Sequence, residues 1–395
     1  MLWTEALIRE AKRKILSLLH DGKARLEYRR VWEELKRYDP TVINNQTPTK
    51  KKQVVIVFTR LVRFSGGQTS ALRLGTELAK QGFDVIYTVY KKQSKEEMAF
   101  CAKSNLASVK GKFYPAGMLQ SMIKKQKGAD IVIATSWDTV SFVKKLSGYK
   151  MYFVQDYEPY FYPFGELSLL AKKTYEQGLH MVSLGAWNKE VIEKNCHIVS
   201  KIDVVDFPYE KGEYPEKKRD FLMYAEKKTL IFAVNVKYYG KRLPCIIQNM
   251  MKELAECFQK DNITLDVRYY GEAKSFHTKG GRNLGMLTKK ELSNLYQEAD
   301  FGMVASMSNI SLIPYEMLSS GLPVIEFEDG TFSYFFSKPS AILTGLSGKE
   351  LYIQLKKCIH EPDLLKTYMN NASKILEGLS WKRTGEQFAE IIRKL

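Results

Sequence analysis

Short apolar runs alternate with helix-forming stretches along most of this chain, and this alternation restricts the fold more than any other feature. Residues 54–58 (VVIVF) form a continuous apolar run, as expected of a parallel strand covered on both faces. A loop, a helical stretch and a second apolar run over residues 84–90 follow it. Strand, helix and strand in this order form a βαβ unit, so the chain is predicted to be an α/β protein.

The alternation occurs in two successive series, which predicts two Rossmann-like domains in tandem. Further strands of the first series are predicted at residues 131–137, 151–157, 180–185 and 201–207. Strands of the second series are predicted at residues 229–236, 265–271, 301–306 and 323–328, with helices at 243–259, 291–300 and 314–321. Residues 208–220, with two prolines and many charges, are expected to connect the series. Ligands bind beyond the carboxyl ends of parallel strands, so a ligand is expected between the two sheets.

The chain begins with a charged, helix-forming segment. Apolar residues recur at helical spacing at Trp3, Leu7, Ile8, Ala11, Ile15, Leu18 and Leu19. Such a helix either packs on its own protein, which is favoured here, or lies on an anionic membrane surface. Residues 41–52 are polar and are predicted to be a linker. The start is too charged for a signal peptide, so a cytoplasmic location is expected, with the inner face of the cell membrane as the peripheral alternative.

Composition excludes several classes of protein. Apolar residues make up 45% of the 395 residues, which is enough for two cores. The net charge of +17 favours anionic partners. Because lysine and arginine are spread along the chain without a recognisable nucleic-acid module, a membrane surface or a diphosphate ligand is expected rather than nucleic acid. The five cysteines and five histidines form no ligand pattern, so no metal site is predicted.

Two glycines, Gly66 and Gly67, separate the first predicted strand from the first predicted helix. Glycine lets the backbone approach a ligand, and the free N–H groups of a helix N-terminus attract an anion. Glycine in such a turn also occurs for steric reasons alone, so the pair leaves both interpretations open.

Two cations follow the first strand of the second series, at Lys237 and Arg242. At the carboxyl end of a strand they could neutralise a diphosphate leaving group. Further along, a polar loop with Asn309 and Ser311 leads into a helix in which Pro314 suits the first turn. The N–H groups of this loop and helix start are expected to face phosphate.

Glu316 lies close to the start of the same predicted helix. A carboxylate there either stabilises the helix dipole or accepts hydrogen bonds from ribose hydroxyls.

In this order and spacing, these elements resemble the retaining glycosyltransferases of family 4, which have the GT-B fold; the resemblance covers about residues 53–395. That family has a glycine pair in its first loop, an Arg-x4-Lys pair that holds the diphosphate, and a Glu-x7-Glu motif. Here Lys237 and Arg242 keep the spacing with the residue types exchanged. Glu316 matches the second glutamate, and Ser308 stands in place of the first.

The resemblance implies a division of labour between the domains. Residues 1–48 would be a helical extension and linker, residues 49–215 an acceptor domain, residues 216–379 a nucleotide-sugar donor domain, and about residues 380–395 a helix that crosses back. It implies catalytic roles for Asp156, Lys237, Arg242 and Glu316. It implies donor contacts at Gly66, Gly67, Gly271, Met286, Leu287, Ser308, Asn309, Ile310, Ser311, Leu312 and Glu316.

Residues 152–166 (YFVQDYEPYFYPFGE) look like a segment of the WsaF-type rhamnosyltransferases. This resemblance implies transfer of L-rhamnose from dTDP-L-rhamnose, with retention, to a growing, lipid-linked surface polysaccharide, with no cofactor beyond this co-substrate. Asp156 ends a predicted strand, where it could position or deprotonate an acceptor hydroxyl. Tyr157, Glu158 and Tyr160 would contact the acceptor, although packing under a long loop is an alternative for the aromatic rings.

The chain lacks an Asp-x-Asp motif, so the cations and helix N-termini are expected to bind the diphosphate without a metal ion. Three other functions stay open at this point. They are a UDP-hexose transferase with the same fold, a nucleotide-sugar 2-epimerase, and a non-catalytic or nucleic-acid-binding protein suggested by the pI of 9.3.

Overall fold

The computed structural model describes residues 2–125, 129–210 and 212–395. Within these residues the strands form two sheets in which all pairs are parallel. The predicted fold class of two Rossmann-like domains is therefore confirmed.

The first sheet lies in the amino-terminal half. Its strands are β1 (Gln53–Phe58), β2 (Asp84–Val89), β3 (Lys112–Pro115), β4 (Ile131–Ala134), β5 (Tyr149–Val154), β6 (His180–Leu184) and β7 (Ile202–Val205). They are arranged in the order β3-β2-β1-β4-β5-β6-β7. The helices of this half are α1 (Leu2–Leu35), α2 (Gly66–Lys80), α3 (Lys95–Asn105), α4 (Ala116–Lys125), α5 (Trp137–Lys145), α6 (Glu166–Thr174) and α7 (Ala186–Asn195).

The second sheet repeats this architecture. Its strands are β8 (Thr229–Asn235), β9 (Thr264–Tyr270), β10 (Arg282–Asn283), β11 (Phe301–Met303), β12 (Val324–Phe327) and β13 (Ile342–Thr344), in the order β10-β9-β8-β11-β12-β13. Its helices are α8 (Pro244–Lys260), α9 (Lys289–Glu298), α10 (Leu312–Ser319), α11 (Phe332–Phe335), α12 (Gly348–His360) and α13 (Pro362–Leu376), and the chain ends with α14 (Trp381–Arg393). Short 3-10 helices span Glu158–Phe161, Phe221–Glu226 and Gly240–Arg242.

The three strands that the sequence did not predict, β3, β10 and β13, all lie at sheet edges. Central strands are covered on both faces and are continuous apolar runs, whereas these edge strands have two to four residues and are only partly buried. A short edge strand therefore leaves little hydrophobic pattern in the sequence.

Helix α1 contacts the first domain near its carboxyl end, where Val31 is buried in a cluster with Trp137 and Leu167. Leu16, Leu18 and Leu26 are 66%, 71% and 68% exposed. At 100° per residue these three leucines point in different directions around the helix, so they do not form one apolar face. The side chains of Trp3, Leu7, Ile8, Ala11, Ile15 and Leu19 lie outside those that the structure describes.

None of the described helices has both the length and the apolar character needed to cross a membrane.

The last helix returns to the first domain. Phe388 of α14 packs edge-on against Phe153 of β5 with ring centroids 5.9 Å apart. A Cβ atom at Gly385 would lie 2.3 Å from the Cβ of Glu77, so glycine is what allows α14 to lie so close to α2. The domain boundaries inferred above stay predictions.

Candidate functional site

Asp156 joins the two domains. It follows β5 at the carboxyl edge of the first sheet and is 8% exposed. Its carboxylate accepts hydrogen bonds from the ammonium of Lys241 (2.7 Å), the hydroxyl of Ser308 (3.0 Å) and the backbone N–H of Asn309 (3.1 Å). All three donors belong to the second domain, so this carboxylate lies where the two carboxyl edges meet.

Three cations lie together after β8. The guanidinium of Arg242 donates to the carbonyl of Ala305 at 2.7 Å. Burial lowers the pKa of Arg242, and the nearby charge of Asp156 opposes that effect. Burial also lowers the pKa of Lys237, and the neighbouring Arg242 lowers it further. Desolvated cations attract an anion more strongly than solvated ones do, so this edge is suited to a diphosphate.

Lys241 is the cation that the sequence did not single out. Burial lowers its pKa, and the charge of Asp156 opposes this. The 3-10 turn Gly240–Arg242 directs its side chain toward the first domain, where its ammonium also lies 3.8 Å from the ring centroid of Phe161. A pattern of spaced cations within one segment cannot identify it, because its partner is 85 positions away.

The loop before α10 is built into the domain contact. Ser308, Asn309 and Ile310 are 2%, 2% and 3% exposed. The side-chain amide of Asn309 donates to the carbonyls of Gln155 (2.8 Å) and Leu184 (3.1 Å). The N–H of Asn309 is therefore used by the first domain, and any phosphate must use donors further along this loop.

The start of α10 retains unused polar groups. The hydroxyl of Ser311 and the side-chain oxygen of Asn309 are buried without a hydrogen-bond partner among the described residues. Helix α10 begins at Leu312. Unsatisfied side chains at the start of a helix are candidates for contact with a ligand.

Glu316 lies among charges from three parts of the chain. Burial raises the pKa of Glu316 to about 7, the charge of Glu213 raises it further, and Lys289 opposes these effects. Glu213, in the connection between the domains, pairs with Arg73 of α2 and with Lys289 of α9 at 3.0 Å. A carboxyl group whose pKa lies near neutral pH can both donate and accept hydrogen bonds, as contact with ribose hydroxyls requires.

The predicted glycines lie at the same two edges. Helix α2 begins at Gly66, and a Cβ atom at Gly67 would lie 3.6 Å from the side-chain oxygen of Gln155, next to Asp156. Gly271 has a φ of +102°, and a Cβ atom there would lie 2.6 Å from the side-chain nitrogen of Asn235 at the end of β8. Gly271 therefore requires glycine, whereas 3.6 Å at Gly67 is ordinary van der Waals contact and would accept a side chain.

The segment after β10 is attached to the end of β9. The N–H of Gly271 donates to the carbonyl of Gly285 at 3.0 Å. Met286 next to it is 54% exposed, whereas Leu287 and Leu312 pack partly buried against the core. These residues lie at the edge of the second sheet where the resemblance places the nucleobase.

Tyr157 and Glu158 are internal, whereas Tyr160 is accessible. Glu158 is 5% exposed, and its carboxyl accepts hydrogen bonds from the N–H of Trp137 and the hydroxyl of Tyr152, both at 2.9 Å. Tyr157 is 3% exposed and Tyr160 is 51% exposed. Burial raises the pKa of Glu158 to about 8, against the N–H of Trp137, which lowers it. At neutral pH the carboxyl group of Glu158 is therefore mainly protonated. Of Tyr157, Glu158 and Tyr160, only Tyr160 is open to solvent.

We expect Glu158→Gln to stabilise the protein at alkaline pH. The pKa of Glu158 is about 8 in the folded protein, against an ordinary value of 4.5. The contribution of this side chain to the free energy of unfolding is therefore fully present below about pH 4.5 and is lost as the pH rises through 8. The amide cannot ionise, which removes a penalty of about 2–4 kcal/mol. Melting temperatures at pH 5 and pH 8 should show the variant gaining on the wild type. The exposed Glu166, changed to Gln, is the control, and a gain no larger than that of this control would contradict the assignment.

Within the residues that the structure describes, no three His, Cys, Asp or Glu side chains lie close enough together to hold a metal ion.

Among proteins of known role, one relative is similar over a substantial part of the chain. The O-antigen biosynthesis protein RfbC of Myxococcus xanthus is 25% identical over 266 residues, which is 64% of this chain. The match spans only 20% of the length of RfbC. No known protein-family profile matches the chain.

Solved structures share the architecture over nearly the whole chain. Anabaena HepE in complex with UDP and glucose superimposes with a TM-score of 0.65 at 11% identity, over 87% of this chain and 100% of its own. WaaG, a glycosyltransferase involved in lipopolysaccharide biosynthesis, gives a TM-score of 0.59 at 14% identity, over 86% and 99% of the chains. A G117R mutant of Staphylococcus aureus TarM with fondaparinux, α-GlcNAc-glycerol and UDP gives 0.64 at 10% identity, over 86% and 99%. At these identities the likeness concerns the fold, which is the predicted GT-B architecture.

Proposed function

We propose that this protein is a GT-B glycosyltransferase of polysaccharide biosynthesis, which transfers a sugar from a nucleotide diphosphate to a hydroxyl of a glycan. The observation that carries the proposal is that Lys241 and Arg242 lie near Asp156 where the two sheets meet, with Lys237 beside Arg242. The cations would hold the diphosphate, and the carboxylate would lie beside the reacting sugar. The match to RfbC supports a role in the synthesis of surface polysaccharide.

Seven of the eleven predicted donor residues have a place in this proposal. Glu316 would accept hydrogen bonds from the ribose, while Ser311 and the start of α10 would bind phosphate oxygens. Gly66 and Gly67 would let the α2 N-terminus approach the donor. Gly271, Met286 and Leu287 would border the base. Binding by these groups alone would make transfer independent of a metal ion.

The finer proposal is transfer of L-rhamnose from dTDP-L-rhamnose with retention of configuration. It is supported by the likeness of residues 152–166 to WsaF-type rhamnosyltransferases and by Ser308 at the position of the family's first glutamate. The acceptor would be a growing, lipid-linked surface polysaccharide. Transfer would take place in the cytoplasm, and contact of the protein with the inner face of the membrane is part of the same proposal.

A UDP-hexose donor is the second candidate, because HepE, a protein of the same fold, is solved with UDP and glucose. Melting curves with dTDP, UDP and GDP separate the two, since a ligand that binds only the folded state raises its stability. We expect dTDP to give the largest shift. Mass spectrometry of a reaction with dTDP-L-rhamnose and a rhamnose-containing acceptor, with and without chelator, should then show transfer in both. The absence of a shift with every nucleotide would exclude the proposed donor site.

A further inference from the structure

A cavity of about 600 Å³ lies between the end of α1 and the carboxyl edge of the first sheet. Its volume falls within the range of roughly 300–1,000 Å³ that is typical of small-molecule sites. Thr59 after β1, Ser136 after β4 and Glu158 after β5 form its floor, and Arg30, Glu34 and Arg37 of the α1 end form its opposite side. The cavity therefore occupies the ligand-binding edge of an α/β sheet and has a wall supplied by the helical extension.

Aromatic rings supply the apolar part of the cavity wall. Trp137, Phe161 and Tyr162 line it. The indole N–H of Trp137 donates to the hydroxyl of Tyr162 at 3.0 Å, which fixes both rings edge to face. Phe161 is 38% exposed. Rigid aromatic rings beside polar groups suit a ligand that has both apolar C–H faces and hydroxyls, as a sugar does.

Oriented polar groups complete the wall. The carboxylate of Asp138 accepts hydrogen bonds from the hydroxyls of Thr59 (2.6 Å), Ser136 (2.5 Å) and Tyr90 (3.0 Å). Arg37 pairs with Glu34 at 2.7 Å, while its Nε atom is buried without a partner among the described residues. The held carboxylate of Asp138 and the guanidinium of Arg37, which both line the cavity, offer an acceptor and donors to ligand hydroxyls.

The charges that line the cavity nearly cancel. Its cations are Arg30, Lys91 and Arg37. Its carboxyl groups are Glu33, Glu34, Asp138 and Glu158. Because the pKa of Glu158 is raised to about 8 by burial, that group is mainly uncharged at neutral pH, which leaves three carboxylates against three cations. A balanced lining favours an uncharged ligand over a phosphate-bearing one.

The cavity is joined to the candidate transfer site by one residue. Phe161 lines the cavity, and its ring centroid lies 3.8 Å from the ammonium of Lys241, which is bonded to Asp156. A glycan in the cavity would thus end beside the carboxylate at which the two domains meet.

We propose that this cavity binds the non-reducing end of an uncharged oligosaccharide acceptor, and that the amino-terminal extension is part of the acceptor site through Arg37, two residues after the end of α1. The inference rests on the proposed glycosyltransferase function and assigns the acceptor class and the role of the helical extension.

The test is calorimetric titration of the full chain with three probes. They are a trisaccharide of L-rhamnose, a trisaccharide of D-glucose and a trimer of glycerol phosphate. We expect at least one neutral trisaccharide to bind and the charged trimer not to bind. Arg37→Met should weaken trisaccharide binding about tenfold, the effect of losing a hydrogen bond to a charged group. Lys36→Met, one position before Arg37 and outside the cavity lining, removes the same charge and should bind like the wild type, because its pair with Glu33 is an exposed surface pair.

Three results would overturn the inference: binding of neither neutral trisaccharide, tighter binding of the charged trimer, or equal binding by Arg37→Met and Lys36→Met. Melting curves of each variant with dTDP and UDP show whether the fold and the donor site are intact. A nucleotide shift without trisaccharide binding refutes the acceptor site alone. Trisaccharide binding without any nucleotide shift refutes the proposed donor function instead.

Discussion

Asp156→Asn is expected to lower the turnover number by about 100-fold, the range of a lost acid–base or charge-stabilising group, while nucleotide affinity changes only a few-fold. The change keeps the shape of the side chain and removes its charge. The amide oxygen can still accept the N–H of Asn309, but the amide nitrogen then faces the ammonium of Lys241 and the hydroxyl of Ser308. The measurement is kcat with saturating donor and acceptor, together with the dissociation constant of the nucleotide.

Ser308→Ala is the matched control for this change, because it removes one hydrogen bond to Asp156 and leaves the carboxylate in place. We expect a loss of a few-fold in kcat, corresponding to about 1 kcal/mol. If Asp156→Asn and Ser308→Ala lowered kcat equally, the carboxylate would only position the loop before α10. If neither changed kcat, Asp156 would have no part in transfer.

The sequence predicted the central strands because their environment leaves a local pattern. Residues 54–58, for example, are apolar throughout and lie in β1, where each is at most 2% exposed. The positions of Lys237 and Arg242 could likewise be predicted, since both follow β8, whereas Glu316 is the fifth residue of α10 and lies beyond its first turn. The local sequence pattern was sufficient to predict the position of a side chain wherever a single helix or strand determines that position.

The contacts across the cleft could not be predicted in the same way. Asp156 was selected because it follows a strand, but its bonds to Lys241 and Ser308 span 85 and 152 positions. Such pairs depend on how the two domains are docked, which no segment of sequence encodes alone. The burial of Glu158 arises within the first domain instead, where its partners Trp137 and Tyr152 come from α5 and β5.

The contact between the two domains brings a carboxylate next to Ser308. This chain has serine at position 308, where family 4 has the first glutamate of its motif. On sequence alone, this difference removes a carboxylate from the donor site. In the structure the carboxylate of Asp156 lies 3.0 Å from the hydroxyl of Ser308. A negative charge is therefore present beside position 308, although it comes from the other domain.

Arg242→Ala is expected to lower kcat/KM for the donor by about 100-fold, comparable to the loss of one preorganised charge-stabilising donor. Its guanidinium is fixed by the carbonyl of Ala305 and lies near the charges of Asp156 and Glu326, so it does not need to reorganise when a diphosphate arrives. Lys237→Ala should give a smaller loss, because its flexible side chain is a single point charge. Donor kinetics at constant acceptor concentration measure both changes.

Arg282→Ala provides the comparison that separates a specific effect from a general loss of positive charge. Arg282 is in the same domain, 61% exposed on edge strand β10, and paired with Asp266 at 3.2 Å. Its removal changes net charge by the same amount as removal of Arg242, so it should leave kcat/KM within about twofold. Arg242→Lys should recover only part of the activity, since the ammonium lacks the planar fork that binds two phosphate oxygens. Both Arg242→Ala and Lys237→Ala could instead keep the KM, kcat and melting temperature of the wild type. The diphosphate would then bind elsewhere in the molecule.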